Sequence, residues 1–153
     1  MRAFQYKVLL RIISTNKYLK MCGITDDDKC YFCREDVETI EHLLFFCPIV
    51  KDFWVKLSEK MKPYLDITSN LSPQNVLLGC LDSKNKMCLN HLFSIVKRYI
   101  YSTKYNGKNL SLEYLVRIFR QHYLIESNLV HMCNKNAETF RNKWRPIEPM
   151  LVL

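Results

Sequence analysis

Three cysteines and a histidine within eighteen residues, in the order C-x2-C-x8-H-x4-C, constrain this chain more than any other feature. Cys30, Cys33, His42 and Cys47 offer three thiolates and an imidazole. That donor set suits Zn²⁺, whose filled d shell imposes no geometry of its own. Two intervening residues, Tyr31 and Phe32, allow a tight turn to aim both sulfurs of the first pair at one ion. The second pair is harder to converge. His42 and Cys47 lie about 140° apart around a regular helix, so one continuous helix keeps them separate. Pro48 disfavours the α conformation at Cys47, and a helix broken there leaves His42 on the helix and Cys47 at the joint. Four protein ligands close the coordination sphere, so the pattern predicts one structural Zn²⁺ and no metal-activated water. Residues 25–37 hold little apolar material, and metal binding is expected to supply their folding free energy.

The chain has seven cysteines in 153 residues. Its opening, MRAFQYKVLL, lacks the apolar run and small-residue cleavage site of a secretory leader. No apolar stretch approaches the ~20 residues of a bilayer span. The expectation is a soluble protein of a reducing compartment, nucleus or cytoplasm, where clustered Cys means metal. Cys22, Cys80, Cys88 and Cys133 fall on or near apolar helical positions and read as buried thiols. Cys88-x2-His91 and His131-x-Cys133 read as separate helix surfaces, not as a second site.

Everything else reads as helix, and the expected fold class is all-α. Val8, Leu9, Ile12 and Ile13 share one face of a first helix. Ser14 or Thr15 caps a second short one, which Gly23 ends. A short ETIEHLLFF helix follows the acidic turn, and Pro48 suits the first turn of a longer helix that stops before Pro63. Ser72-Pro73 opens a brief helix closed by Gly79. Residues 86–105 and the segment from Ser111 then form a helical hairpin, with Leu89, Leu92, Phe93, Val96 and Ile100 on the first arm and Leu115, Ile118, Phe119, Tyr123 and Leu129 on the second. A basic piece, AETFRNKWRP, closes the pattern near Pro146. Two units are expected: a zinc-binding helical domain at 1–62 and a C-terminal helical region at 73–145, with a soft boundary at 63–72.

The formal charge is +8, unevenly spread. Residues 1–24 carry five basic side chains and no acid, residues 25–42 seven acids against two bases, and residues 71–110 six bases against Asp82. Two basic faces flanking an acidic loop favour an anionic partner. Aromatic residues beside bases suggest stacking. The candidate nucleic-acid residues are Arg11, Lys17, Lys20, Tyr31, Phe32, Lys97, Arg98, Lys104 and Arg145. His91, His122 and His131 have no nucleophile or paired acid at a diagnostic spacing, so no catalysis is expected.

The segments TNKYLKMCGI, CYFC and VETIEHLLFFCPIVKDFW resemble the zinc-binding region of LINE-type (non-LTR) retrotransposon reverse transcriptases. The likeness rests on Thr15, Asn16, Leu19, Gly23, Ile24, Cys30, Cys33, Glu38, Thr39, His42, Leu43, Cys47 and Trp54, and covers roughly residues 5–60. It implies the C-terminal region of a polyprotein that copies its RNA at a nicked chromosomal site, with this region holding template RNA or target DNA. It also implies a second possibility, a scaffold that docks on the polymerase domain. The chain has no Tyr-x-Asp-Asp motif and no Pro-Asp…Glu-x-Lys set, so the resemblance carries neither synthesis nor cutting to it.

Overall fold

A computed structural model describes residues 2–133 and 137–152, with the side chains of Arg2 and Cys133 outside the described set. The elements are α1 (Arg2–Leu9), α2 (Asn16–Met21), a π-turn (His42–Phe46), α3 (Pro48–Met61), a 3₁₀ turn (Thr68–Asn70), α4 (Pro73–Leu78), α5 (Lys86–Tyr105), α6 (Leu112–Cys133), α7 (Ala137–Trp144) and α8 (Glu148–Val152). Strand pairing among the described residues is one bridge, Lys29 with Val37, across the metal-donor turn.

Capping explains most boundaries. The Thr15 hydroxyl accepts from the Tyr18 N–H at the start of α2, and the Ser72 hydroxyl accepts from Asn75 at the start of α4. Pro48 and Pro73 occupy first-turn positions where a missing N–H costs nothing. Gly79 ends α4 at φ +112, and a Cβ there would meet the Asn90 amide oxygen at 3.3 Å. That amide clamps Cys80, accepting from its N–H at 2.7 Å and donating to its carbonyl at 3.0 Å.

The first helix is shorter than its apolar spacing predicts. It stops at Leu9, and Arg11 turns left-handed at φ +60. Ile12 N–H donates to Lys7 O and Arg11 N–H to Val8 O, the paired bonds of a Schellman end. Val8 and Ile13 are consequently buried while Leu9 and Ile12 face out, so the four do not share a face. One further expectation fails on exposure: Cys22 is an exposed thiol. Cys80 and Cys88 are buried. The side chain of Cys133 lies outside the described residues.

The hairpin of α5 and α6 supplies the centre. The α5 helix buries residues nearly all round, from Cys88 and Leu89 to Tyr99 and Ile100. Its Phe93 packs edge-on against Trp54 of α3, centroids 5.6 Å apart, and Tyr99 meets Phe53. Trp144 of α7 closes over His91, and Ile147, Met150 and Leu151 bring α8 onto α6. One apolar cluster runs from Val8 to Leu151, so the metal-donor segment and the C-terminal helices share a core.

Candidate metal centre

The donor turn is folded by its own backbone. Arg34 N–H donates to Cys30 O at 2.9 Å, closing the Cys30–Cys33 turn, and Cys30 N–H donates to Asp36 O at 2.8 Å. Glu38, fully buried, braces the turn from beneath. One carboxylate oxygen accepts from Tyr31 N–H at 2.7 Å, and the other accepts from Asn16 N–H at 2.8 Å and from the Lys104 ammonium.

The second pair converges by two devices, of which the sequence suggests one. Thr39 caps the segment, its hydroxyl accepting from His42 N–H at 3.0 Å. The chain then winds as a π-turn, with Cys47 N–H donating to His42 O five residues back at 2.8 Å. That wider winding brings the fifth residue back over the first. Cys47 itself is non-helical, at φ −55 and ψ 129, as the following proline demands. Pro48 also cannot donate to Leu44 O, as residue 48 would in an α-helix. The Trp54 indole N–H donates to that carbonyl instead, at 2.9 Å. A Trp seven residues after the last donor is thus tied to the metal-site backbone.

The four donor atoms lie within 4.8 Å of one another. Zn–S bonds near 2.3 Å and a Zn–N bond near 2.0 Å require tetrahedral edges of about 3.8 Å between sulfurs and about 3.5 Å between sulfur and nitrogen. Cys30 Sγ to Cys47 Sγ is 3.8 Å, and Cys33 Sγ to His42 Nε2 is 3.4 Å. A disulfide would need about 2.05 Å, so these sulfurs are spaced as co-ligands. The Cys30 thiol hydrogen-bonds to Cys47, which holds Cys47 down at about 5 and pushes Cys30 up. His42 turns Nδ1 toward Asp36, whose carboxylate is 3.8 Å away, where an outer-shell group orients a metal-bound imidazole. The donor set and spacing fit Zn²⁺.

Residues 1–54 match the model of the family described as zinc-binding in reverse transcriptase. No curated protein and no solved structure matches the chain. The reverse-transcriptase zinc-binding match covers about a third of the sequence. It includes every donor and ends on Trp54. That family is an accessory to the polymerase and not a catalytic domain.

The basic candidates divide sharply. Lys97 is buried, donating to Leu77 O at 3.3 Å and to the Gln5 side chain, and burial pushes its ammonium down to about 8. It satisfies a carbonyl at the C-terminal end of α4, where positive charge is favoured. Lys104 is buried on Glu38 and Ser14 O. Both ammonium groups are thus engaged by acceptors inside the protein. Arg11 is bidentate on Glu41, and Lys20 pairs with Asp28. Both partners come from the acidic loop. Lys17, Arg98 and Arg145 are exposed, and Tyr31 and Phe32 are half-buried.

Arg98 comes together with Lys7, Tyr101 and Tyr105 around a cleft of about 430 Å³ between α1 and α5, with no acidic residue in its lining. Lys7 is the member that sequence reasoning passed over. Its clue was the acid-free composition of residues 1–24.

His91 is placed structurally. His91 sits under Trp144 with centroids 4.7 Å apart, its Nε2 3.6 Å from Glu126. Glu126 also accepts from Trp144 Nε1 and Lys143 Nζ, so the group ties α5, α6 and α7. His131 is exposed, and no helix of the described residues is long and apolar enough to cross a membrane.

Proposed function

We propose that this chain is a zinc-ordered, non-catalytic module that holds single-stranded nucleic acid, template RNA or target DNA, for a non-LTR reverse transcriptase. Zinc on Cys30, Cys33, His42 and Cys47 supplies cross-linking of the turn to the π-turn. The protein's own residues do the rest. Glu38 and Trp54 fix the backbone on either side of the donors, and α5 presents Arg98 and Tyr105 beside Lys7 of α1.

The observation that carries the reading is the acid-free cleft of Lys7, Arg98, Tyr101 and Tyr105. Two cations without local counter-charge attract phosphate, and exposed Tyr105 offers a ring face for a base. The acidic loop occupies Arg11 and Lys20, which concentrates the available charge at this cleft. Fluorescence anisotropy of a single-stranded oligonucleotide, titrated against salt, tests it. Each phosphate contact on a single strand contributes about 0.7 to the slope of log K against log salt, so K7E/R98E should weaken binding and flatten the slope by about 1.4. Absence of binding at low salt in the wild type defeats the reading.

The docking alternative has one observation in its favour. Leu9, Phe46 and Leu78 are about half exposed or more around an apolar cleft of about 410 Å³. Capture of a separately expressed polymerase domain that survives K7E/R98E but fails in F46D/L78D favours docking.

A further inference from the structure

Among the described residues two non-glycine residues hold backbone in the left-handed region, and both are arginines: Arg11 at φ +60 and Arg34 at φ +62. That conformation costs an L-residue roughly 1–2 kcal/mol, which glycine avoids. Arg11 has an evident return in its bidentate pair with Glu41. Arg34 has no such ion pair among the described residues. Closing the Cys30–Cys33 turn requires the left-handed backbone at position 34 but not an arginine side chain. The guanidinium lies instead over the Tyr31 ring, 5.2 Å from its centroid. A strained residue whose side chain makes no internal ion pair points to an external ligand.

Arg34 stands on the wall of a cleft of about 590 Å³, between the donor turn, α3 and the α5–α6 connection. Tyr31 and Phe32 form an aromatic edge of that wall, their rings T-shaped at 5.1 Å. The charged lining balances: Arg34 and Lys56 against Asp52 and Glu113, with Lys56 and Asp52 bonded at 2.6 Å. A wall with no net charge suits a neutral ring better than a free phosphate. Asn109 and Ser111 add neutral polar groups, the kind that meet a base edge. The volume falls in the range of small-ligand sites. Aromatic faces joined by an arginine plane are how proteins hold single bases splayed from a strand.

We propose that this cleft receives one unstacked base of a bound single strand, with Tyr31, Phe32 and Arg34 forming its stacking wall. The inference rests on the nucleic-acid reading above and adds a base-binding subsite to the phosphate-binding cleft of Lys7 and Arg98.

The test uses the full, zinc-loaded chain and a single-stranded oligonucleotide carrying 2-aminopurine, whose emission reports unstacking. Wild type should bind with a change in emission at saturation. Arg34→Gly relieves the left-handed backbone, so it should keep zinc and fold while losing roughly tenfold in affinity and most of the emission change. Arg34→Lys, which keeps the charge but not the plane, should recover little. Phe32→Leu serves as a second probe, which removes the ring but keeps an apolar side chain, with the same expected loss. Wild-type affinity and emission in Arg34→Gly and Phe32→Leu would overturn the subsite while leaving the nucleic-acid reading intact. No binding by wild type at low salt would overturn both.

Discussion

Replacing Lys104 with methionine removes one half of a buried ion pair and leaves the other in place. Glu38 is fully buried and Lys104 nearly so. Removing one partner of such a pair costs about 3–5 kcal/mol, because a charge stays desolvated without its counter-ion. Two features place this case near the lower end. Asn16 and Tyr31 N–H groups continue to donate to the carboxylate. Ser14 O, which also accepts from Lys104, keeps its bond from the Tyr105 hydroxyl at 2.8 Å. The expected loss is therefore about 3 kcal/mol, within the roughly 5–15 kcal/mol stability of an ordinary domain. Urea unfolding at fixed zinc should show a lower midpoint with unchanged slope. Lys104→Met combined with Glu38→Gln should cost less than the sum of the single changes, since the charge left behind in each is gone in the pair. A loss below about 1 kcal/mol in Lys104→Met, with additive behaviour, would mean a solvent-screened pair. Lys104 would then be free for phosphate, and the placement argued above would fall.

Trp54→Phe deletes the indole donor that serves the Leu44 carbonyl in place of the missing Pro48 N–H, so about 1–3 kcal/mol should be lost for the weakened acceptor, plus a cavity cost; urea unfolding that shows no change would refute the role. Burial holds His91 down at about 4 from the ordinary 6.5, against the pull of Glu126 and with Lys143 and His122 nearby. The unfolded chain therefore takes up that proton first, and stability should fall by up to about 3 kcal/mol as pH drops from 6.5 toward 4. His91→Phe should flatten that limb, and an identical pH profile in the variant would show the histidine to be solvated. Cys33→Ser and Cys47→Ser should each lower zinc content and speed amide exchange across residues 28–47. One full zinc retained in both would mean the donors are misassigned.

Several elements were legible because a single residue decides them. Gly23, at φ +69, ends α2, and Pro48 and Pro73 sit at helix starts. The donor set was legible because ligand chemistry restricts residue type. The end of α1 was not, because its apolar spacing continues past Leu9 and an arginine gives no sign of left-handed backbone. The π-turn was half legible: a five-residue gap between donors with proline after the second cannot be satisfied by a regular helix. The burial of two lysines was hidden by local charge, although Phe93, Lys97, Ile100 and Lys104 fall at helical spacing on a buried stripe. Both ammonium groups find acceptors more than fifteen residues away in sequence, at Leu77 and Glu38, which no local pattern reveals. The α8 helix was passed over because five residues around Pro149 are too short for periodicity, yet Met150 and Leu151 are buried.

Elemental analysis of the purified chain, before and after exhaustive chelation, reaches the centre of the account. One zinc per chain is expected, with loss of near-native far-UV dichroism and of amide protection across residues 28–47 once the metal is stripped. A chain that purifies without metal and keeps the same fold under chelation would contradict it.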